Sequence, residues 1–325
     1  MSMSKQLESL TDQAGKLCQQ GKYREAEPLL LQGVDLARRE YGKENPAFAG
    51  ILNDLGGFYR TTGKYAKSET AFVEAMDILA KVVGTDHPDY ATTINNLAGL
   101  YRLTGEYAKG EELFLEAVNT YEKTLGKEHF LYASALNNLG LLYQDMRKYE
   151  KAELLHKEAL DIIAKTGKKD IAYATSLNNL AGPYRVMGRY TEAEPLLREA
   201  IEIYAKIVGK QHPLYASGLN NLAGLYCTMG DHGQAEPLYL EVLDLCAKTF
   251  GTEHPDFVST MANLGLVYEA MGDFNKSKDS WGQVVDIRRR TLGESHPTYI
   301  ESINNLANLH DKAGDHAKAE QIRNR

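Results

Sequence analysis

The sequence predicts an all-α fold, an α-solenoid of about eight helical hairpins of 42 residues each. Three observations carry this. Asn-Asn-Leu or a close variant starts at residues 53, 95, 137, 178, 220, 262 and 304, at spacings of 42, 42, 41, 42, 42 and 42. Within each period, apolar residues recur at three- and four-residue steps twice over, as in two amphipathic helices. A helix pair of that size cannot bury its apolar faces alone, whereas stacked copies share one core.

The first helix of a repeat is exemplified by Thr92 to Leu103, where Ile94, Leu97, Ala98, Leu100 and Tyr101 form one face. A turn follows at Thr104-Gly105-Glu106. The second helix runs from Tyr107 to about Thr124 on Leu113, Phe114, Ala117, Val118 and Tyr121, and "LGKEH" closes it with glycine just past its end. Five of the seven closing loops add Pro46, Pro88, Pro213, Pro255 or Pro297, suited to the first turn of the next helix or the loop just before it. An earlier, degenerate repeat is in phase, because "GKY" at Gly21 to Tyr23 lies 42 residues before "GKY" at Gly63 to Tyr65. The expected organisation is a short extension over 1–10 and a single array over 11–325. Its repeats start near 5, 47, 89, 131, 172, 214, 256 and 298.

Composition excludes several functions. With 43% hydrophobic and 25% charged residues in 325, the chain can bury a large core, and its net charge of −7 gives no general affinity for nucleic acid or anionic membrane. The start, "MSMSKQLESL", has no apolar core of a signal peptide, and no run of eighteen apolar residues occurs, so a cytoplasmic protein is expected. Cys18, Cys227 and Cys246 are odd in number and lack metal-ligand spacing, which fits reduced thiols.

Leu139-Gly140, then Tyr143, then Ala152 and Ala159 reproduce the Leu-Gly, Tyr, Ala and Ala spacing of the tetratricopeptide repeat, with small residues in equivalent slots such as Ala98, Ala181, Ala193, Ala223 and Ala235. Together with the 42-residue period, "GTDHPDYATTINNLAGLYRLTGEY" from Gly84 and "GTEHPDFVSTMANLGLVYEAMGDF" from Gly251 resemble the tetratricopeptide domain of kinesin light chains and their bacterial look-alikes. The resemblance covers about residues 11 to 325 and implies a right-handed solenoid that binds protein segments. Light chains carry a long heptad-repeat segment ahead of their repeats to grip the motor heavy chain. About ten residues stand there here, so a motor heavy chain is not an expected partner.

Thr92, Asn95, Asn96, Gly99, Arg102 and Leu103 fall in one sector opposite the apolar face. The resemblance implies that this stripe faces a concave groove. An asparagine amide both donates and accepts, as an extended peptide backbone does. Asp54, Asn96, Asn138, Asn179, Asn221, Asn263 and Asn305 match the family position whose asparagine contacts bound peptide. The alternative is that these asparagines bond to neighbouring helices and hold the repeats in register. Gly57, Gly99, Gly182 and Gly224 lie one step along the same stripe, where a missing side chain leaves room for a ligand. A further turn along come Arg60, Arg102, Gln144, Arg185, Cys227, Glu269 and Asp311; Arg60, Arg102 and Arg185 match positions where light chains carry basic residues for acidic cargo.

Other signals are structural. The tyrosines fall mostly at three recurring slots, exemplified by Tyr90, Tyr101 and Tyr107, and read as packing residues. His87, His129, His212, His254 and His296 march along the array at one loop position instead of converging, as zinc ligands would. No P-loop, nucleophile elbow, metalloprotease or dinucleotide motif appears, so neither an enzyme, a cofactor nor a metal is expected. "AKTGKKDIAY" at 164–173 is one residue short, and Pro183 in the next helix replaces leucine, which predicts a kink with the Asn179 carbonyl left free. The expected function is a non-catalytic scaffold capturing an extended, acidic-ended segment of a partner protein. The alternative is a sensor or regulatory array of a larger effector, suggested by the abrupt end at "QIRNR".

Overall fold

The computed structural model describes residues 3–19 and 22–324. Sixteen helices follow one another among the described residues, with no strand. They pair as α1 (Met3–Gln19) with α2 (Tyr23–Tyr41), α3 (Pro46–Thr61) with α4 (Tyr65–Val82), α5 (Pro88–Thr104) with α6 (Tyr107–Leu125), and α7 (Phe130–Asp145) with α8 (Tyr149–Ala164). Then come α9 (Ile171–Val186) and α10 (Tyr190–Ile207), α11 (Pro213–Met229) and α12 (His232–Thr249), α13 (Pro255–Ala270) and α14 (Phe274–Leu292), and α15 (Pro297–Lys312) and α16 (His316–Arg323). Gly21, the first residue of the early "GKY", lies outside the described residues. Helix α1 begins at Met3, so the segment read as an extension is helical from there.

Each helix boundary has a local cause. The loop histidines His87, His129, His212, His254 and His296 stand at the N-caps of α5, α7, α11, α13 and α15. There Nδ1 accepts from the main-chain N–H two residues on, at 3.1 to 3.3 Å, satisfying one of the helix's orphan donors. Proline follows at the first helical position in four of these five. The closing glycines Gly84, Gly126, Gly209, Gly251 and Gly293 have φ between 83° and 87°, which a side chain would oppose.

The helices divide into two compact bodies, Met1–Pro183 and Tyr184–Arg325. In the first body the core runs from Leu7 and Ala26 through Phe48, Ile94 and Leu136 to Ile163, with Leu139 and Tyr143 also buried. Here α5 touches both α3 and α7 directly, besides its own partner α6. First helices therefore approach one another laterally, and their polar stripes come side by side. In the second body Tyr299, Ile303, Ala307 and Ile322 form a terminal cluster with Val285.

Small residues on the first helices make room for large ones on the second. A Cβ at Gly56 would lie 2.7 Å from the Phe72 ring, one at Gly140 would lie 2.6 Å from His156, and one at Gly265 would lie 2.8 Å from Trp281. The Leu-Gly of the repeat thus seats a ring from the hairpin's other helix.

Candidate functional site

Five lateral contacts along the stripe share one offset: a side chain at position i meets the side chain at i+43, one repeat plus one residue. Asn96 Nδ2 donates to Asn53 Oδ1 at 3.1 Å, and Asn138 Nδ2 donates to Asn95 Oδ1 at 3.3 Å. Arg102 pairs with Asp145 at 2.7 Å, Arg185 donates to the Thr228 hydroxyl at 3.3 Å, and Lys312 pairs with Glu269 at 2.6 Å. This offset explains why asparagine is written in tandem. The first of a pair serves as acceptor for the second of the next repeat.

The register reading of the asparagines therefore holds at Asn96 and Asn138. Each still keeps its own Oδ1 and one amide hydrogen after the bond to its neighbour. Asn96, Asn138, Asn179, Asn221, Asn263 and Asn305 are all half-buried, while Asp54 is exposed. Asp54 is nonetheless surrounded by protein, and the lost hydration raises its carboxyl above the ordinary range.

The arginines are engaged within the fold. Arg60 Nη1 donates to the main-chain oxygen of Asn96 at 3.2 Å, and desolvation, with Arg102 nearby, lowers its pKa. An acidic partner residue would have to compete with Asp145 for Arg102. Asp311, in the second body, is held by His316 and Arg323, which lower its pKa.

Two expectations about the stripe are corrected. Gly99 and Gly182 do not leave space for a ligand. A Cβ at Gly99 would lie 2.9 Å from Arg60 Nη1, and one at Gly182 would lie 2.5 Å from Gln144 Oε1, so the glycines admit the neighbouring repeat's side chain. Gly57, by contrast, has open space before it. Nor is the Asn179 carbonyl left free by Pro183, which lies inside α9 without ending it. Gln144 Nε2 donates to that oxygen at 3.4 Å.

Gln144 belongs to a buried network where the repeat is a residue short. Its amide contacts His156 Nε2 at 2.8 Å, His156 Nδ1 contacts Asn137 Oδ1 at 2.9 Å, and Asn137 Nδ2 donates to Ser176 Oγ at 2.8 Å. Only one tautomer satisfies all of these, with hydrogen on Nδ1. Burial pushes the His156 pKa down to about 4.

The sequence reading missed a second lateral set. Tyr101, Tyr143 and Tyr226 are buried packing residues, and their hydroxyls donate to Glu69, Glu111 and Glu194 on the preceding second helix at 2.7 to 2.9 Å. Burial and the glutamate together raise the Tyr101 and Tyr143 phenols to about 12. The signal was the glutamate recurring in phase at 27, 69, 111, 153, 194 and 236.

In the second body the next rung is open. Asn220 and Asn263 stand 43 apart, yet no hydrogen bond joins them, and Asn220 Oδ1 is buried without a donor. Ala262 in the first slot gives Asn305 no acceptor.

Family models described as tetratricopeptide repeat match residues 17–47, 47–109, 92–165, 172–248, 216–280 and 256–325. The chain belongs to the tetratricopeptide repeat family. No curated protein matches it. Among solved structures it is similar to BtubC (BKLC) from P. vanneervenii, at 28% identity over 72% of this chain and 93% of that one, with a TM-score of 0.56. A Podosopora anserina protein described as a kinesin light chain of nearly identical TPR-like repeats shares 28% identity over 64% of this chain and 99% of that one, TM-score 0.52. At 16% identity, covering 91% of this chain and 42% of that one with a TM-score of 0.63, the fold also matches a STAND protein with a tetratricopeptide repeat sensor from Pyrococcus horikoshii. The array thus has a kinesin light chain among its structural neighbours, while the match to the sensor protein shows the fold alone. Among the described residues no helix is long and apolar enough to cross a membrane.

Proposed function

We propose that the array is a non-catalytic cytoplasmic scaffold that captures an extended segment of a partner protein along the stripe of its first helices. The observation that supports this is the residual valence of Asn96 and Asn138. After the bond to the neighbouring repeat, each retains the donor and acceptor that an extended backbone complements. Asp54 and Asn179 belong to the row in the first body, with Arg60 and Arg102 beside it for an acidic end of the segment, and Asn221, Asn263 and Asn305 form the corresponding row in the second body, with Arg185 beside it. Neither nucleic acid, membrane nor a motor heavy chain is part of this reading, and no cofactor or metal is.

The test is site-directed photocrosslinking. A benzophenone amino acid at Leu103, on the stripe, should join the protein to a partner segment in lysate of the source organism, while the same group at Leu154, which is 68% exposed on α8, should not. Equal crosslinking at both positions would remove the stripe from the reading. The likeness to the STAND sensor favours a second reading, a sensor array within a larger effector. Crosslinks confined to a catalytic domain encoded in the same reading frame would select it.

A further inference from the structure

Each stripe arginine has two places to go, and the next repeat decides between them. Arg60 has Gly99 at 39 residues on and Leu103 at 43, a bare backbone and a side chain with nothing to accept a hydrogen bond. It folds inward: Nη1 comes 2.9 Å from where a Gly99 Cβ would stand and donates to the Asn96 oxygen at 3.2 Å. Arg102 has Leu141 and Asp145 at the same offsets, and it turns outward to pair with Asp145 at 2.7 Å. Gln144 follows the inward pattern over Gly182, onto the Asn179 oxygen. Glycine at the first offset thus opens an inner seat, and an acceptor at the second opens an outer one.

Arg185, in the second body, has both. Gly224 lies 39 residues on and Thr228 lies 43 on. Its Nη1 donates to the Thr228 hydroxyl at 3.3 Å, while that hydroxyl gives its own hydrogen to the Gly224 oxygen at 2.8 Å. The inner seat is open as well, since a Cβ at Gly224 would meet only the Tyr239 hydroxyl, at 3.8 Å. The guanidinium is near enough to act on the back wall of that seat: burial raises the Tyr239 phenol and the Cys227 thiol, and the Arg185 charge opposes both rises. A neutral hydroxyl holds a guanidinium less firmly than the Asp145 carboxylate holds Arg102. No carboxylate among the described residues pairs with Arg185.

We infer that Arg185 is a two-position arm, moving between Thr228 and an inner seat over Gly224 on the Asn221 oxygen, and that a carboxylate on the stripe fixes it in the outer position. At Thr228 one of its five N–H donors is engaged, so the guanidinium can still grip a carboxylate through two parallel bonds. In the inner seat it is sunk against backbone, as Arg60 is, and withdrawn from a partner. A ligand that binds one position better shifts the arm toward it. Gly224 and Thr228 therefore set how readily this part of the second body takes an anion. The inference rests on the groove-binding reading above and adds to it which arginine responds and what governs it.

The experiment uses the full chain labelled with ¹⁵N-arginine, the Arg185 Nε–H resonance being assigned by its loss in Arg185→Lys. Propionate should shift that resonance saturably, and more than it shifts the Arg60 resonance, while propionamide should not. Two variants move the arm in opposite directions. Gly224→Ala closes the inner seat and should tighten propionate binding at least about twofold, whereas Thr228→Val removes the outer acceptor and should weaken it at least about twofold, because affinity scales with the competent fraction. A thermal melt establishes that each variant folds. On arrays of randomised, amide-capped peptides, a fixed glutamate should be preferred over glutamine about two- to fivefold, the worth of an exposed ion pair, and Gly224→Ala should widen that preference. A parallel set with glutamine and a free C-terminal carboxylate tells whether side chain or chain end supplies the group, and preference for either supports the arm. If propionate leaves Arg185 unmoved, or binds both variants as it binds wild type, the arm has one position and the inference is overturned. Peptide binding indifferent to any carboxylate overturns it too, yet leaves groove capture standing. A propionate response with both variant effects but no peptide binding supports the arm and sinks groove capture.

Discussion

His156 of α8, fully buried, lies 2.8 Å from the Gln144 amide of α7 through Nε2, so its ring is held neutral between Gln144 and Asn137. Gln144 in turn donates to the Asn179 oxygen, which the proline at 183 leaves without its helical amide. One side chain thus compensates for the proline and orients the histidine.

Acid stability should reflect this. The His156 pKa falls from an ordinary 6.5 when unfolded to about 4 when folded, so the native state binds fewer protons in that window. Its stabilisation is present above pH 6.5 and is lost as pH falls toward 4, with a ceiling of about 3 kcal/mol. His156→Phe places in this slot the ring type of Phe72 and Phe114. Melting curves from pH 7 to 4 should drop less steeply for this variant than for wild type. Parallel curves would show that His156 does not set the acid limb.

Glycine-to-alanine changes should split by what a Cβ would meet. At Gly140 it would lie 2.6 Å from His156, a ring with no room to withdraw, so Gly140→Ala should cost about 1–3 kcal/mol. At Gly57 nothing lies within 4 Å, and Gly57→Ala should stabilise by up to about 1 kcal/mol through helix propensity. Urea denaturation of the two variants measures both.

Arg147 is the one non-glycine among the described residues with positive φ, at 59°, in a turn where other repeats place Gly63, Gly105, Gly188 or Gly230. Left-handed backbone costs an L-residue roughly 1–2 kcal/mol. Arg147→Gly should raise the melting temperature, by an amount reduced by glycine's greater freedom in the unfolded chain. A lower melting temperature would mean that the Arg147 side chain contributes more than its backbone costs.

Much of this was legible in the sequence because the period fixes which positions are equivalent, and the apolar spacing fixes which face is buried. Ala98, Leu97 and Tyr101 are buried, and the loop prolines stand at N1 as their spacing implied. The histidines were legible only as a recurrence, since nothing in it says that Nδ1 caps the next helix. Lateral partners were not legible, because the offset of 43 comes from how adjacent hairpins are staggered, which a period of 42 does not state. Hence Gly99 read as room for a ligand when it is room for Arg60.

The stagger also separates structure from function at the asparagines. Asn53 and Asn96 share one hydrogen bond, so alanine at either removes the same rung and should cost a similar ~0.5–1.5 kcal/mol. Only Asn96 occupies the position that the groove reading assigns to the partner's main chain. Asn96→Ala should therefore weaken binding of a captured segment by a further ~0.5–1.5 kcal/mol, roughly two- to tenfold, whereas Asn53→Ala should leave affinity nearly unchanged. Asn138 and Asn95 form the parallel pair and should behave alike. Chemical denaturation gives the common term, and titration calorimetry with the crosslinked segment gives the difference. If both members of a pair lose stability equally and bind equally well, the asparagines serve register alone, and the segment must be held by other groups.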